Sequence, residues 1–164
     1  MNLIGYICSV QVIPVFICFI LFRKGGNFFR LPLFLYISLM NINQKGCFAE
    51  YKFATMAIEN GFNVSMPLLD ASTYDCILEK NNKLHKVQVK FMCANRYTSE
   101  KQKTPQIEIK NGKGYYSISD VDFFAVWHDE HKGFFILNNT GQRAYRLCLN
   151  NKYKDNFNNF DIIL

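Results

Sequence analysis

The stretch from Tyr74 to Phe91, YDCILEKNNKLHKVQVKF, predicts two β-strands joined by a tight turn. Asn81 and Asn82 occupy the bend, and asparagine tolerates the left-handed backbone conformations that two-residue hairpin loops require. A two-residue loop at these positions fixes the register of the strands and places Asp75 directly opposite Gln88. Side chains opposed in this way have Cβ atoms roughly 4.5–5.5 Å apart. The hairpin is therefore predicted to hold a carboxylate against an amide.

The alternation of side chains along the two strands supports this register. Successive residues of a strand point to opposite faces, so Tyr74 and Cys76 share a face with their partners Val89 and Val87. A slip of one residue would destroy both of these apolar matches at once. One face of the hairpin is expected to pack in the core, while the other gathers a carboxylate, an amide and an amine from Asp75, Gln88 and Lys90.

These three polar side chains suit the metal-assisted hydrolysis of a phosphodiester. Mg²⁺ prefers oxygen ligands and usually takes only one or two protein carboxylates besides phosphate and water. The ion polarises the phosphate and lowers the pKa of a bound water. A neighbouring lysine can orient or help to deprotonate the attacking water, and can stabilise charge on the phosphorane. The spacing alone favours an ordinary hairpin with a polar outer face, since such hairpins are common.

Short motifs in and around the hairpin resemble those of the PD-(D/E)XK nuclease superfamily. They are, in order, Gly46-Cys-Phe-Ala-Glu50, Gly61-Phe-Asn-Val64, Pro67, Tyr74-Asp75 and Val87-Gln-Val-Lys90. Within the superfamily, the chain is similar to the branch that contains group I intron homing endonucleases of cyanobacterial type, where glutamine replaces the usual acid of the last motif. The later segment Ile118–Trp127, ISDVDFFAVW, resembles the second core strand pair of that branch.

The resemblance implies a restriction-endonuclease-like core of the α/β (α+β) class, with a mixed β-sheet flanked by helices. It implies a metal-dependent endonuclease that hydrolyses double-stranded DNA, with Mg²⁺ as cofactor and Mn²⁺ able to substitute. Asp75 and Glu50 would bind the metal, aided by the side-chain oxygen of Gln88. Lys90 would position the water or stabilise the transition state. The chain departs from the family pattern at Tyr74, where proline is usual, and at the neutral Gln88, a weaker metal ligand than a carboxylate.

The segment Asn43–Asn60 predicts a helix that places Glu50 near small residues. Gly61 is a natural terminator of this helix, and Gly46, Glu50 and Ala54 lie along one stripe of it. Other backbone or a phosphate can therefore approach Glu50, although the helix by itself equally fits a solvated glutamate. The expected apolar face consists of Phe48, Phe53, Met56, Ala57 and Ile58.

The charge of the chain is compatible with a nucleic-acid partner but does not establish one. The 164 residues carry a net charge of +6, with a pI of about 9.0. Three of the 19 lysines and arginines precede residue 40, and the remaining 16 face 13 acidic residues. After the second hairpin strand, residues 93–113 form a polar, basic segment that either neutralises DNA phosphates or is a solvated loop. The predicted DNA-binding residues are Arg96, Lys101, Lys103, Lys110, Lys113 and Arg143.

The cysteines indicate a compartment. The six cysteines include no C-x-x-C pair and no zinc-type spacing with histidine, and several lie in apolar runs, which is typical of reduced intracellular proteins. The abundance of residues with AT-rich codons hints at an AT-rich genome. We expect the protein to be intracellular, with the genome, in a bacterial cytoplasm or in an organelle (plastid or mitochondrion).

The N-terminal segment has three interpretations. Leu3–Phe22 is nearly uncharged and precedes Arg23-Lys24, which is typical of a transmembrane helix with this flank on the cytoplasmic side. It also fits an extra packed helix, or translation upstream of a native start at Met40. We therefore divide the chain into a hydrophobic N-terminal extension, residues 1–39, and a nuclease domain, residues 40–164. A membrane would be a partner only if the extension is expressed and inserted.

Val121–Trp127 and Gly133–Asn138 predict two apolar strands around a charged turn. His128 and His131 in this turn invite a metal site, but a charged hairpin tip favours solvated histidines. Asp120 and Asp122 could also bind a metal, but their positions favour a carboxylate that ends a loop and one that starts a strand.

The expected function is Mg²⁺-dependent cleavage of double-stranded DNA, by a homing endonuclease encoded in a group I intron. The intron context comes from the resemblance alone. Cutting both strands with one small active site per chain requires at least two chains, so a homo-oligomer, a dimer or a tetramer, is expected. Two alternatives remain open: a non-catalytic DNA-binding protein with a decayed nuclease fold, and a membrane-anchored protein of unknown role.

Overall fold

The computed structural model describes residues 19–24, 27–32, 40–69, 71–93 and 105–164. The chain divides into two compact units, residues 1–45 and 46–164. In the first unit, β1 (Phe19–Lys24) pairs with β2 (Asn27–Pro32) in an antiparallel hairpin. The proposed membrane helix would extend through residues 19–22, which are β-strand instead, and the rest of that helix lies outside the described residues. No helix in the described part of the chain is long and apolar enough to cross a membrane.

Helix α1 (Ile42–Glu59) begins and ends with capping motifs that its sequence supplies. At the start, the side chain of Asn41 accepts a hydrogen bond from the backbone N of Gln44, and the side chain of Gln44 accepts one from the backbone N of Asn41, both at 2.9 Å. This reciprocal pair is a capping box. At the end, Gly61 adopts a φ of 79°, and Phe62 N donates to the Ala57 carbonyl at 3.1 Å, as in a Schellman motif. The helix predicted over Asn43–Asn60 is confirmed.

One of the five residues predicted for the apolar face of α1 is exposed, and Ala49 and Ala54, which were not predicted there, are buried. Ala49, Phe53 and Ala57 are fully buried and recur every four residues. Ile58, which was predicted to belong to this face, is 60% exposed. The reason is helical geometry, since each residue turns the side chain by about 100° and Ile58 follows directly after the buried Ala57.

The second unit contains the core sheet and two smaller strand pairs. Its strands, in chain order, are β3 (Asn63–Ser65), β4 (Cys76–Lys80), β5 (Lys83–Met92), β6 (Gln106–Glu108), β7 (Lys110–Asn111), β8 (Gly114–Tyr115), β9 (Phe123–His128), β10 (Gly133–Asn138) and β11 (Ala144–Arg146). Five of them form a sheet in the order β10-β9-β5-β4-β3. In this sheet β5 and β9 are parallel and the other neighbours are antiparallel. The prediction of a mixed sheet with a leading helix is confirmed.

The central hairpin has the register that its turn predicts. Asn81 and Asn82 have φ values of 54° and 60°, as a two-residue turn with both central residues left-handed requires. Cys76 pairs with Val87, and the backbone N of Asp75 donates to the Val87 carbonyl at 2.9 Å. The short turn therefore sets the position of Asp75 against β5.

Apolar layers cover both faces of the sheet. On one face α1 packs through Phe53 against Phe134. On the other face Phe124 and Tyr145 belong to a second buried cluster, to which the β6–β11 pair contributes. The ordinary hairpin with a polar outer face, which the sequence left open as an alternative, is not what the structure shows, because Gln88 is only 7% exposed. A central strand such as β5 is covered on both sides once a second layer packs on the sheet.

The start of β10 leaves no room for a side chain larger than hydrogen. A Cβ on Gly133 would collide with the Phe157 ring and approach both side-chain polar atoms of Asn158 to 2.7 Å. Asn158 Oδ1 accepts a hydrogen bond from Phe134 N at 2.8 Å, so it cannot retreat without losing that bond. We expect Gly133→Ala to lower the free energy of unfolding by about 1–3 kcal/mol in urea denaturation.

Gly112→Ala is the matched control for this substitution. A Cβ at Gly112 meets nothing within 4 Å, so the variant should unfold at the parent urea concentration or slightly above it. Equal losses of stability in the two variants would show that crowding at Gly133 is not the cause.

Candidate active site

Asp75 is held by two hydrogen bonds that converge on one carboxylate oxygen. Its Oδ2 atom accepts from the backbone N of Val89 at 2.7 Å and from Nε2 of Gln88 at 2.5 Å. Both donors lie on β5, opposite the residue that precedes β4. Hydrogen bonds to a carboxylate favour its charged form and fix its orientation. The hairpin therefore presents an oriented Asp75 carboxylate, as the register predicted.

Gln88 meets Asp75 through its amide nitrogen. Nε2 donates to Asp75, with a longer contact of 3.3 Å to the Val89 carbonyl. The prediction paired the two residues correctly but assigned Gln88 a role through its oxygen as a metal ligand. In the structure the glutamine acts as a hydrogen-bond donor that supports the carboxylate, and metal binding by its oxygen stays a prediction.

Glu50 and Asp75 line the same open cavity, which has a volume of about 230 Å³. Glu50 comes from α1 and is partly buried, and an added Cβ on Gly46 would reach only to 4.0 Å from its Oε1 atom. The glycine one turn earlier therefore leaves space beside this carboxylate. The other lining residues come from the loop between β3 and β4: Met66, Pro67, Leu68, Leu69, Ser72 and Tyr74.

Lys90 lies close enough to both carboxylates to be influenced by their charges. Partial burial lowers the pKa of its ammonium group below the usual 10.5, while the charges of Asp75 and Glu50 act in the opposite direction. Lys90 follows Gln88 by two residues on β5, and because side chains alternate along a strand, the two share one face of the sheet. The structure thus brings together all four predicted catalytic residues.

Tyr116 is a member of this site that the sequence did not reveal. Lys90 Nζ donates to its hydroxyl oxygen at 3.3 Å and lies 5.1 Å from the centre of its ring. The ring is 8% exposed, and burial raises the pKa of its hydroxyl. Because 26 residues separate Tyr116 from Lys90, no local pattern in the sequence could have found the contact.

Cys76 adjoins the site but is not a nucleophile. Burial raises the pKa of its thiol to about 12, with further contributions from the charges of Asp75 and Glu50. The thiol therefore stays protonated at neutral pH, and a protonated thiol is a poor nucleophile. The carboxylates and Lys90 are therefore better candidates for chemistry at this site than the thiol.

The predicted DNA-binding residues fall into two groups. Arg96, Lys101 and Lys103 lie outside the described residues. The other three lie on or beside the short β7–β8 hairpin: Lys113 is at its exposed tip, Lys110 forms an ion pair with Glu108 at 2.5 Å, and the guanidinium of Arg143 lies 5.0 Å from the Tyr115 ring centre.

Asp120 and Asp122, which were possible metal ligands in the sequence, have a structural role. Asp122 Oδ2 accepts from Lys86 N, and Asp120 Oδ2 accepts from Ser117 N, each at 2.7 Å. These bonds hold loop and strand ends, which is the role that the sequence favoured for the two carboxylates.

The second pair, His128 and His131, differs from its prediction. His128 is 1% exposed, so the prediction that it is a solvated turn residue is wrong. It is the last residue of β9 and stacks on His131 with the ring centres 4.3 Å apart. Burial and, to a lesser extent, the charge of the nearby His131 lower the pKa of His128 to about 4.

Comparisons with known proteins identify the fold and the family. A solved structure of a bacterial homing endonuclease, I-Ssp6803I, is similar to 76% of this chain and 94% of its own, with 21% identity and a TM-score of 0.62. This likeness shows a restriction-endonuclease-like fold. None of the curated proteins matches the chain. The family model for PD-(D/E)XK endonucleases matches residues 40–161, and the chain therefore belongs to the PD-(D/E)XK endonuclease family.

Proposed function

We propose that the protein is a divalent-metal-dependent endonuclease that cleaves double-stranded DNA, and that it acts as a homing endonuclease encoded in a group I intron. The observation that carries the proposal is the cavity that Glu50 and Asp75 line together, with Lys90 within reach of both charges. The homing role is supported by the similar fold of I-Ssp6803I, a bacterial homing endonuclease.

The side chains at the cavity fit a hard divalent ion. Two carboxylates from different elements, Glu50 on α1 and Asp75 before β4, offer the oxygen ligands that Mg²⁺ or Mn²⁺ prefers. The bonds from Val89 and Gln88 hold the Asp75 carboxylate in place before any ion arrives. When bound, Mg²⁺ would polarise the scissile phosphate and stabilise its developing charge.

Lys90 supplies the remaining chemistry. Its amine lies where the charges of both carboxylates act on it, and it donates a hydrogen bond to the Tyr116 hydroxyl at 3.3 Å. In this position it would orient the attacking water or take its proton, and its charged form would stabilise the phosphorane.

The substrate and the assembly follow from the surroundings of the site. Arg143, Lys110 and Lys113 place basic side chains around the β7–β8 hairpin, where they would contact phosphates. Each chain contributes one such cavity, so cutting both strands of a duplex calls for a dimer or a tetramer. The protein would act inside the cell, where the genome is.

A plasmid panel tests the proposal. The full chain is incubated with supercoiled plasmids, one carrying the intronless version of its host gene, in Mg²⁺, in Mn²⁺ or in EDTA. We expect linearisation of that plasmid with either metal and none in EDTA. DNA binding without cutting in any metal would favour the decayed, non-catalytic alternative. Recovery of the chain in the membrane fraction would favour the anchored one.

A further inference from the structure

A second group of metal-binding side chains lies at the turn between β9 and β10. His128, Glu130 and His131 each offer a ligand atom, and these atoms lie within 4.8 Å of one another. The turn is closed by Lys132, whose backbone N donates to the His128 carbonyl at 2.8 Å and whose φ is 53°. The backbone therefore holds the three ligands on one short, tightly closed loop.

The ring nitrogens of the buried His128 are weakly satisfied. The Leu147 backbone acts on the ring as a hydrogen-bond partner and raises its pKa, but within the described part of the chain Nε2 makes no hydrogen bond of good geometry. Its Nδ1 atom receives only a long contact of 3.4 Å from the backbone N of His131. Leaving a buried polar group unsatisfied is unfavourable, and native structures retain few such groups without a reason. A bound ion would supply that reason.

The surroundings allow the group to close on an ion. A tetrahedral Zn²⁺ with bonds near 2 Å needs ligand atoms roughly 3.3 Å apart, so these atoms, which lie within 4.8 Å of one another, must move together by at most about 1.5 Å. His131 must also turn, because its ring is stacked within 13° of parallel to that of His128 and imidazole lone pairs lie in the ring plane. The ligands that must move are the accessible ones, since Glu130 is exposed and His131 is partly exposed.

We propose that His128, Glu130 and His131 form a binding site for Zn²⁺ or a similar borderline transition ion, separate from the nuclease cavity. Two imidazoles and one carboxylate are ligands that Zn²⁺ accepts, with water in the fourth position. The ion would fasten the β9–β10 turn. Asp129 within this turn donates its backbone N to the Met92 carbonyl at 3.2 Å, so the site would also hold the end of β5, the strand that carries Lys90.

The test is a titration of the full chain carrying Asp75→Asn with Co²⁺ and with Zn²⁺. The substitution and an excess of Mg²⁺ prevent either ion from binding in the nuclease cavity. We expect one equivalent of Co²⁺ to bind with visible d–d absorption and without thiolate charge-transfer bands, which excludes the cysteines. Zn²⁺ should displace the Co²⁺ and raise the melting temperature. In the same background, His131→Ala should weaken Co²⁺ binding about 100-fold or more, and Glu130→Gln should also weaken it.

Two matched variants check that the effect is local. His85→Gln removes the other histidine of the chain, and Asp129→Asn removes a carboxylate of the same turn that is not among the three ligands. Both should bind Co²⁺ as the Asp75→Asn chain does. Failure of that chain to bind Co²⁺, or equal binding after His131→Ala, would overturn the proposal. Cleavage assays play no part here, so the result does not depend on the nuclease proposal.

Discussion

Asp75→Asn is expected to lower plasmid cleavage by about 10³-fold or more while the protein stays folded. Asparagine loses the negative charge that would bind the metal, but its side-chain oxygen can still accept the hydrogen bond that Val89 N donates at 2.7 Å. Single-turnover cleavage in Mg²⁺ gives the rate, and urea denaturation gives the stability. DNA binding, measured in Ca²⁺, should change little.

Asp75→Ala separates the chemical role of this residue from its structural one. Alanine would leave the backbone N of Val89, which is 6% exposed, without its partner. An unsatisfied buried donor costs about 1–3 kcal/mol, so the alanine variant should be less stable than the asparagine variant yet no less inactive. Wild-type cutting by Asp75→Asn would refute the assignment of Asp75 as a metal ligand.

Lys90→Ala is expected to abolish cleavage as completely as the loss of Asp75. The charges of both Asp75 and Glu50 act on the pKa of this amine. The substitution removes the donor of one long hydrogen bond, to the Tyr116 hydroxyl at 3.3 Å, so the melting temperature should fall only slightly. The measurement is cleavage of the target plasmid at several pH values. Wild-type cutting by Lys90→Ala would refute the proposed mechanism.

The pH profile shows which form of Lys90 acts. Burial lowers the pKa of Lys90, and an ion bound to Asp75 and Glu50 would offset the two charges that raise it. The neutral amine is therefore accessible at a lower pH than in an exposed lysine, and we expect it to take the proton of the attacking water. The rate should then rise with pH through the lowered pKa and level off above it. If the charged form acts instead, the rate falls with pH through the same value.

Tyr116→Phe is the companion variant for this profile. It keeps the ring beside the amine but removes the hydroxyl oxygen that accepts from Lys90 at 3.3 Å. Losing an acceptor of the ammonium group destabilises the charged form, so the rising limb should move to lower pH. A tyrosine with only a packing role would leave the limb in place, which makes the shift a specific sign of positioning.

The parts of the structure that the sequence predicted are those that local interactions determine. The turn at Asn81-Asn82 set the hairpin register, and the alternation of apolar residues set its faces. Helix α1 was predicted because its apolar spacing and its terminating Gly61 lie within one segment. The pairing of Asp75 with Gln88 followed from the register alone.

The parts that were missed depend on contacts between distant segments. Gln88 and His128 are buried because the β6–β11 layer and the loops around it cover that side of the sheet. No periodicity within β5 or β9 reports a layer that comes from elsewhere in the chain. Glu50 was placed near Asp75 only through the family resemblance, since 25 residues and a loop separate them.

The amide of Gln88 determines whether the site must hold a proton before a metal ion binds. An acid there would put two carboxylates at the 2.5 Å separation that Gln88 and Asp75 now share, and one of them would have to keep a proton until a cation arrived. Binding of the ion would then expel that proton, and metal affinity would follow the pH of the medium. With glutamine there is only one carboxylate in the pair, and the hydrogen bond from the amide stabilises its negative charge. A cation can therefore bind without expelling a proton from this pair.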